Sequence, residues 1–459
     1  MRFLFLTLYG REPEFYGRVG VHLREQGHDV AHVTWSRRGA TTLRKMGLQA
    51  WCLADLVPGA ADGVDLADET RRLETTYDML SLRDVYRTDP PVRDASEEAS
   101  LRWAIAHFRA LERIFDEWPP DVVVPEVGSE TMRTAAHLIG LERGIDVLFL
   151  FYTIFPNPLR LYANTMHAPI VTDEELRPLE PAEQAEVDAF VERFVAKNQP
   201  IRAYRQPRVH GATLRDFAWH IGNKATTDRD NPYLHPQRFV TNYAREKGRA
   251  ALARRLYEPL DASDRPFVYF PLHVTDDYKI KRVIPHCVDQ ASIIELVAEF
   301  LPEGIDLVLK EHPMSIGRNG LALLRRLSAK RNIRLVDPYT SSHELIRRSQ
   351  AVAVISSTVG LEALLHGHPV MTVGQPFYGG YGVTVDVDSF REIPEKVQEL
   401  LAFRPDRERI DRFVHACMRR CYPGKPVLVD PSPENARTLA GSLHAAVTDD
   451  PVRPSLLAR

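Results

Sequence analysis

Ala351-Val-Ala-Val-Ile-Ser-Ser-Thr-Val-Gly-Leu-Glu-Ala-Leu-Leu-His-Gly-His-Pro-Val370 is the stretch on which the fold turns. Ala351 to Ser356 is a short apolar run rich in β-branched residues, the pattern of a strand buried on both faces. Val359 to His366 follows as a short helix, and Gly367 is placed to end it as a left-handed cap. Val370 to Val373 then returns to strand. Strand, helix and strand in direct succession predict a parallel pair joined by a right-handed crossover.

Outward from this unit the alternation repeats. Phe267 to Pro271, Asp306 to Lys310 and Ile333 to Val336 read as strands, with helices over Gln290 to Leu301, Leu321 to Lys330 and Ser342 to Arg348. The N-terminal part follows the same order. Phe3 to Leu8 reads as a strand, Phe15 to Gln26 as a helix and Asp29 to Trp35 as a strand. Further on, Ser100 to Trp118 reads as a helix with Leu101, Ile105, Phe108, Leu111 and Phe115 on one face. A strand over Asp121 to Pro125, a helix over Glu130 to Arg143 and a strand over Asp146 to Tyr152 complete that series.

Asp55 to Glu98 is charged and less regular, and reads as an insertion over the N-terminal sheet. Thr172 to Arg255 shows no clear strand and reads as helical, broken near Gln199-Pro200 and from Asp228 to Pro236. Together these patterns predict an α/β protein of GT-B type: two facing Rossmann-like parallel-sheet domains with a helical insertion. The expected divisions are an acceptor-side domain over 1–170, a helical segment bridging or covering the cleft over 171–260, a nucleotide-binding domain over 261–425, and a C-terminal helix with a frayed tail over 426–459.

Composition narrows the function classes. The 459 residues are 44% hydrophobic and 26% charged, and 59 basic against 62 acidic side chains leave a net charge of −3. No whole-chain field attracts a polyanion, so nucleic acid is not an expected partner. Cys52, Cys287, Cys417 and Cys421 are too sparse for a disulfide framework, and no second pair completes a metal site with Cys417 and Cys421. Met1 to Tyr9 is apolar but short, and Arg11-Glu12 follow without a cleavage pattern, so it reads as a first strand and not a signal peptide. No stretch approaches the ~18–20 apolar residues of a membrane span. The expected location is cytoplasmic. The basic segment Arg404 to Arg420 reads as a solvated helix face or as a peripheral contact with the anionic inner membrane surface.

Four segments carry chemistry. Ser356-Ser357-Thr358 sets three hydroxyls at a helix start, where backbone donors and the positive end of the dipole suit a phosphate. Gly360 would let that helix sit close to whatever is bound, and Glu362 could accept hydrogen bonds from ribose hydroxyls. A plain N-cap on a packed helix fits the same residues. Lys310 and His312 lie two apart at a strand's end, on one face, with Glu311 opposite and Pro313 fixing the turn. Lysine and imidazole there could hold or protonate a phosphate leaving group, or simply meet solvent. His273 follows another strand with Asp276 and Asp277 behind it, as bases, acceptor-binding groups or turn residues. Glu126 ends a strand in Val124-Pro-Glu-Val-Gly-Ser-Glu130, where it could act on an acceptor hydroxyl; helix capping by Ser129 is the simpler reading. Gly10 and Gly17 form no GxGxxG, so a dinucleotide fold is not favoured.

Read together, Tyr269-Phe-Pro-Leu-His273, Asp289-Gln290, Lys310-Glu-His-Pro313, Ser356-Ser-Thr-Val-Gly-Leu-Glu-Ala363 and Gly374-Gln-Pro-Phe-Tyr378 stand in family-like order. This string resembles the capsule polysaccharide biosynthesis proteins, the group that includes the Kdo transferases priming capsule lipid anchors. The resemblance covers about Pro266 to Gly382. It implies a GT-B enzyme that uses a CMP-activated acidic sugar and no cofactor, acting on a polysaccharide or glycolipid acceptor. It also implies that Lys310, His312, Pro313, Ser356, Ser357 and Glu362 line the nucleotide site, with Thr358 beside them and His273, Gln290 and Tyr378 toward the substrate. Relatives commonly carry a proline and a glutamate where this chain has Val274-Thr275-Asp276-Asp277, so Kdo itself is not assumed.

On this reading Lys310, His312 and the helix start stabilise the departing phosphate without a metal. A carboxylate, Glu126 first and Asp276 or Asp277 next, deprotonates the acceptor or attacks the anomeric carbon. Domain closure would exclude water. Competing readings are a polyol-phosphate transferase of the teichoic-acid kind, which also pairs His-Pro with a Ser-Ser turn, a nucleotide-sugar 2-epimerase, and a non-catalytic polysaccharide assembly or export component.

Overall fold

In the computed structural model two six-stranded sheets organise the chain, which is described over residues 1–166, 171–196, 211–274 and 277–448. The first contains β1 (Arg2–Thr7), β2 (Asp29–Thr34), β3 (Gln49–Cys52), β4 (Val122–Val124), β5 (Asp146–Tyr152) and β6 (Leu159–Ala163), in the order β3-β2-β1-β4-β5-β6. The second contains β7 (Phe267–Leu272), β8 (Asp306–Glu311), β9 (Ile333–Val336), β10 (Ala351–Val354), β11 (Val370–Thr372) and β12 (Val385–Asp386), in the order β12-β11-β10-β7-β8-β9. Both orders are the doubly wound Rossmann pattern, in which the chain winds outward from a first strand, returns, and winds the other way. All pairs are parallel except β5 with β6. These are the two Rossmann-like units from which the GT-B class is built.

The sequence dictates this winding by burial. β7, β8, β9 and β10 are buried along their whole length, as strands covered on both faces must be. The strands of both sheets are connected by helices with one apolar stripe, as between β3 and β4 of the first. The Glu97–Glu117 helix is N-capped by Ser96 Oγ, 3.3 Å from Ala99 N, and buries Ile105, Phe108, Leu111 and Phe115. Short β3 and antiparallel β6 lie outside the predicted strands. In β6 the buried guanidinium of Arg160 sits 4.0 Å over the Tyr162 ring, so a charged residue interrupts the apolar signature.

Contacts divide the described chain into a first unit of 1–166, 215–236 and 420–448 and a second of 171–196, 211–214, 237–274 and 277–419. The helical stretch is thus shared between the units, and the C-terminal helix Pro433–Thr448 returns to pack on Glu12–Glu25. The tail from 449 and the break at Gln199-Pro200 lie outside the described residues.

Candidate functional site

The second unit gathers the predicted phosphate-site segments at the carboxyl ends of its strands, the edge where open α/β sheets bind ligands. β8 places Lys310 there, 3% exposed, with Nζ 2.6 Å from Ser342 Oγ and 3.0 Å from the Thr340 carbonyl. Burial lowers the ammonium to about 8, against the pull of Glu362. Glu311 points to the other face, where it accepts from the Tyr257 hydroxyl and from Asn319 Nδ2 at 2.6 Å. It ties the strand to neighbouring segments. His312 follows, its imidazole lowered by burial and then by the charge of Lys310. Ser315 fixes the turn by donating to the His312 carbonyl through Oγ at 2.7 Å.

β10 leads through Ser356 into the helix Thr358–Leu365. Ser357 is the N-cap, its Oγ accepting from Val359 N at 3.2 Å. Glu362, one turn in, is raised by burial to about 7, opposed by Lys310. Two opposite charges are therefore both drawn toward neutrality by the same poorly solvated space. Gly367 has φ +77° and closes the helix in the left-handed region. Gly360 packs closely on protein. A Cβ there would lie 2.7 Å from Cζ of Tyr378. Tyr378 is 1% exposed and donates its hydroxyl to the Ser357 carbonyl, so it buttresses the helix start from within the core.

His273 and Gln290, expected on the substrate, form a scaffold. Gln290 is 3% exposed; its Oε1 accepts from His273 N at 3.2 Å and its Nε2 donates to the His273 carbonyl at 3.2 Å. The His273 Nε2 accepts from Ser356 N at 3.1 Å, and burial lowers this imidazole to about 4. It is a neutral acceptor at pH 7, with its proton on Nδ1. Asp277 accepts from Lys279 N at 2.9 Å as a turn residue, while Asp276 lies outside the described residues. Ser356 is 5% exposed, and its Oγ finds no hydrogen-bond partner.

These elements enclose a cavity of about 450 Å³ whose walls include Lys310, His312, Pro313, Ser357, Thr358 and Glu362. Tyr269, Pro271 and Leu272 of β7 contribute apolar wall. A further side, Ser341-Ser342-His343, comes from the turn after β9, with Phe194 packed on His343 at a ring separation of 5.2 Å. The sequence reading passes over this turn. Its signal is Thr340-Ser-Ser342, a second hydroxyl turn between strand and helix that mirrors Ser356-Ser357-Thr358.

Glu126 belongs to the first unit. It is 4% exposed, holds φ +60° in the left-handed region that favours glycine, and has an Oε1 with no hydrogen-bond partner. Burial raises its carboxyl to about 7, against the attraction of Arg133. Arg133 itself is held by Glu12 at 2.9 Å and Glu130 at 3.1 Å. Ser129 does not cap the next helix: Glu130 is the N-cap of Thr131–Glu142, without a side-chain cap bond.

Among the described residues no three His, Cys, Asp or Glu are grouped to hold a metal ion, and all four cysteines are buried thiols. No described helix is long and apolar enough to cross a membrane. On the basic helix Arg407–Arg419, Arg407 pairs with Asp411 at 2.8 Å, Arg412 with Glu408, and Arg419 with Glu183 at 3.9 Å.

Fold and site thus define a two-unit Rossmann-like α/β protein with a lysine, a histidine and a capped helix start around one cavity. Residues 224–405 match the family model described as capsule polysaccharide biosynthesis protein, so the resemblance seen in the motifs holds over that span. FixF of Sinorhizobium fredii is 31% identical over 129 residues, covering 28% of this chain and 30% of FixF. The capsule polysaccharide export protein KpsS of Escherichia coli is 27% identical over 180 residues, covering 37% of this chain and 46% of KpsS. The capsule polysaccharide modification protein LipA of Neisseria meningitidis is 25% identical over 126 residues, covering 28% and 18%. The matches span less than half the length of each of these curated relatives. Among solved structures, the Thermosulfurimonas dismutans KpsC beta Kdo 2,7 transferase is 17% identical, covering 73% of this chain and 88% of that one with a TM-score of 0.34. The calicheamicin glycosyltransferase CalG4 is 16% identical, covering 97% and 99% with a TM-score of 0.31.

Proposed function

We propose that this chain is a metal-independent glycosyltransferase of capsule or other surface polysaccharide biosynthesis. It would move a sugar from a nucleotide-activated donor, with a CMP-linked acidic sugar as first candidate, to a polysaccharide or glycolipid acceptor. One observation carries the reading: Lys310, His312, Ser357, Thr358 and Glu362 line a single cavity at the ligand-binding edge of the second sheet. The match to the capsule family over residues 224–405, and the capsule modification and export roles named for LipA and KpsS, support the biosynthetic setting.

The chemistry follows from what each group can do. The acceptor hydroxyl oxygen bonds to the anomeric carbon as the bond from that carbon to the phosphate oxygen breaks. The electron pair leaves with the nucleotide. Lys310 and the backbone donors of the Thr358–Leu365 helix start meet the developing charge, and His312 donates a hydrogen bond to it. The Ser357 and Thr358 hydroxyls add neutral contacts, Pro313 holds the turn, and Glu362 accepts from ribose hydroxyls. Glu126 would be the base that takes the acceptor's proton: its carboxyl has an Oε1 with no hydrogen-bond partner, and burial raises it to about 7. The reaction would run in the cytoplasm, with peripheral contact at the inner membrane where a lipid-linked acceptor would be met.

The test is nucleotide release. CMP liberated from a CMP-sugar in the presence of acceptor is expected from the intact protein, undiminished by EDTA, and lost in His312→Ala with its melting temperature retained. Full activity in that variant removes the histidine from the mechanism, and CMP release from CDP-glycerol instead reassigns the donor class.

A further inference from the structure

The Pro236–Ala253 helix lies, after its first residue, in the second unit, and the chemistry above leaves it unused. With the two residues that follow it, it carries Arg238, Arg245, Lys247, Arg249, Arg254 and Arg255 against a single acid, Glu246. One face is packed. Ala250 and Ala253 are buried, and Gly317, at φ +82°, leaves room for the Glu246 carbonyl. The opposite face is open. Val240, Ala244, Gly248 and Leu252 recur every four residues along it and are all exposed, with exposed Ala251 beside them. Val240 and Leu252 leave 45% and 50% of their surface to solvent.

Helical spacing sets basic side chains along both borders of this apolar strip. Arg238, Arg245 and Arg249, seven and four residues apart, follow one border; Lys247 and, one heptad on, Arg254 follow the other. Their charge is not spent within the protein. Arg245 donates to Asn242 Oδ1, a neutral group, and Arg249, Arg254 and Arg255 have no carboxylate partner among the described residues. Lys247 Nζ lies 5.4 Å over the Tyr243 ring. The Arg407–Arg419 helix differs, because its Arg407, Arg412 and Arg419 are paired with Asp411, Glu408 and Glu183.

The occupant follows from the two features together. A soluble polyanion would use the arginines and leave the strip in water. A phospholipid surface uses both: the strip enters the boundary between headgroups and acyl chains, while the arginine stems lie along it and the guanidinium groups meet phosphates. A surplus of cations on both borders selects an anionic surface. We propose that this helix lies in the plane of an anionic phospholipid membrane and docks the second unit there. The docking rests on the transfer reading only for its purpose, reach to a lipid-linked acceptor; the surface itself is argued from this helix alone.

The test is co-sedimentation of the full chain with vesicles of phosphatidylcholine, with and without about one third phosphatidylglycerol. Binding is expected only where phosphatidylglycerol is present, and should weaken as salt rises. Arg245→Gln, Arg249→Gln and Arg255→Gln together should lower partitioning about 100-fold, roughly fivefold for each charge lost near the surface. Val240→Ser with Leu252→Ser, at unchanged charge and exposed positions, should lower it about tenfold. Arg407→Gln with Arg412→Gln should change little. Should the triple variant fail to fold, Arg255→Gln alone, beyond the helix end, is expected to show its own fivefold loss. Equal binding to both vesicles, binding to neither, or binding unchanged in a folded arginine variant would overturn the docking surface. So would binding unaffected by the two serines together with equal affinity for soluble polyglutamate, which would make the helix a polyanion site. CMP release to a soluble acceptor, followed in the same samples, reports on transfer separately: its loss with vesicle binding intact counts against the transfer reading alone.

Discussion

His273 Nε2 lies 3.1 Å from the backbone nitrogen of Ser356, a bond that ties the end of β7 to the turn opening the Thr358–Leu365 helix. Because the imidazole accepts, it must be neutral, and burial holds it so down to about pH 4. The folded value lies below the ordinary one, so the unfolded chain binds more protons in that window. This contribution to stability is present above about pH 6.5 and is lost as pH falls toward about 4. His273→Phe should therefore lower the melting temperature at pH 7.5 and show a smaller further drop on acidification than the parent, measured by calorimetry.

Lys310 makes phosphate binding depend on pH. Its ammonium titrates at about 8 because it is buried, and a phosphate gains its full attraction only while that charge is present. CMP affinity should fall as pH rises above about 8, by no more than tenfold per pH unit for a single proton. Lys310→Arg, charged at every working pH, should move or remove that decline. Lys310→Met should lose about 10- to 100-fold in affinity at pH 7, the worth of one charge-assisted hydrogen bond. Calorimetric titration across the pH range separates these outcomes.

Glu126 predicts opposite effects on activity and stability. Its folded-state carboxyl is raised to about 7, so its favourable term is present below about 4.5 and is lost as pH climbs through about 7. Glu126→Gln should raise the melting temperature more at pH 8 than at pH 5, by an upper bound of about 3 kcal/mol of stability. The same variant should abolish transfer while leaving CMP binding unchanged. Unchanged transfer would dismiss Glu126 as the base.

Gly360 tests the packing behind the site. Gly360→Ala would press a methyl against Tyr378 and should cost about 1–3 kcal/mol, read as a lower denaturation midpoint. Adding Tyr378→Phe, which deletes the hydroxyl nearest that methyl, should recover part of the loss.

What the sequence revealed here was local. Lys310 and His312 share a strand end two residues apart, and Ser357 caps a helix from the adjacent position; spacing alone is enough to read both. What escaped was set by distant partners. His273 and Gln290 stand in a family-like order, but only their 3.2 Å contacts show that they brace the backbone. Gly360 announces close approach without naming Tyr378, which is far along the chain. The turn Ser341-Ser342-His343 joins the cavity because Lys310 bonds Ser342 across two strands, a contact with no trace in either segment by itself.

A crystal structure of the protein with CMP tests the central claim most directly. The phosphate should lie within hydrogen-bonding distance of Lys310 Nζ, His312 and the backbone nitrogens that open the Thr358–Leu365 helix, with the ribose toward Glu362. CMP bound elsewhere, or a cavity still without it at saturating concentration, would contradict the account.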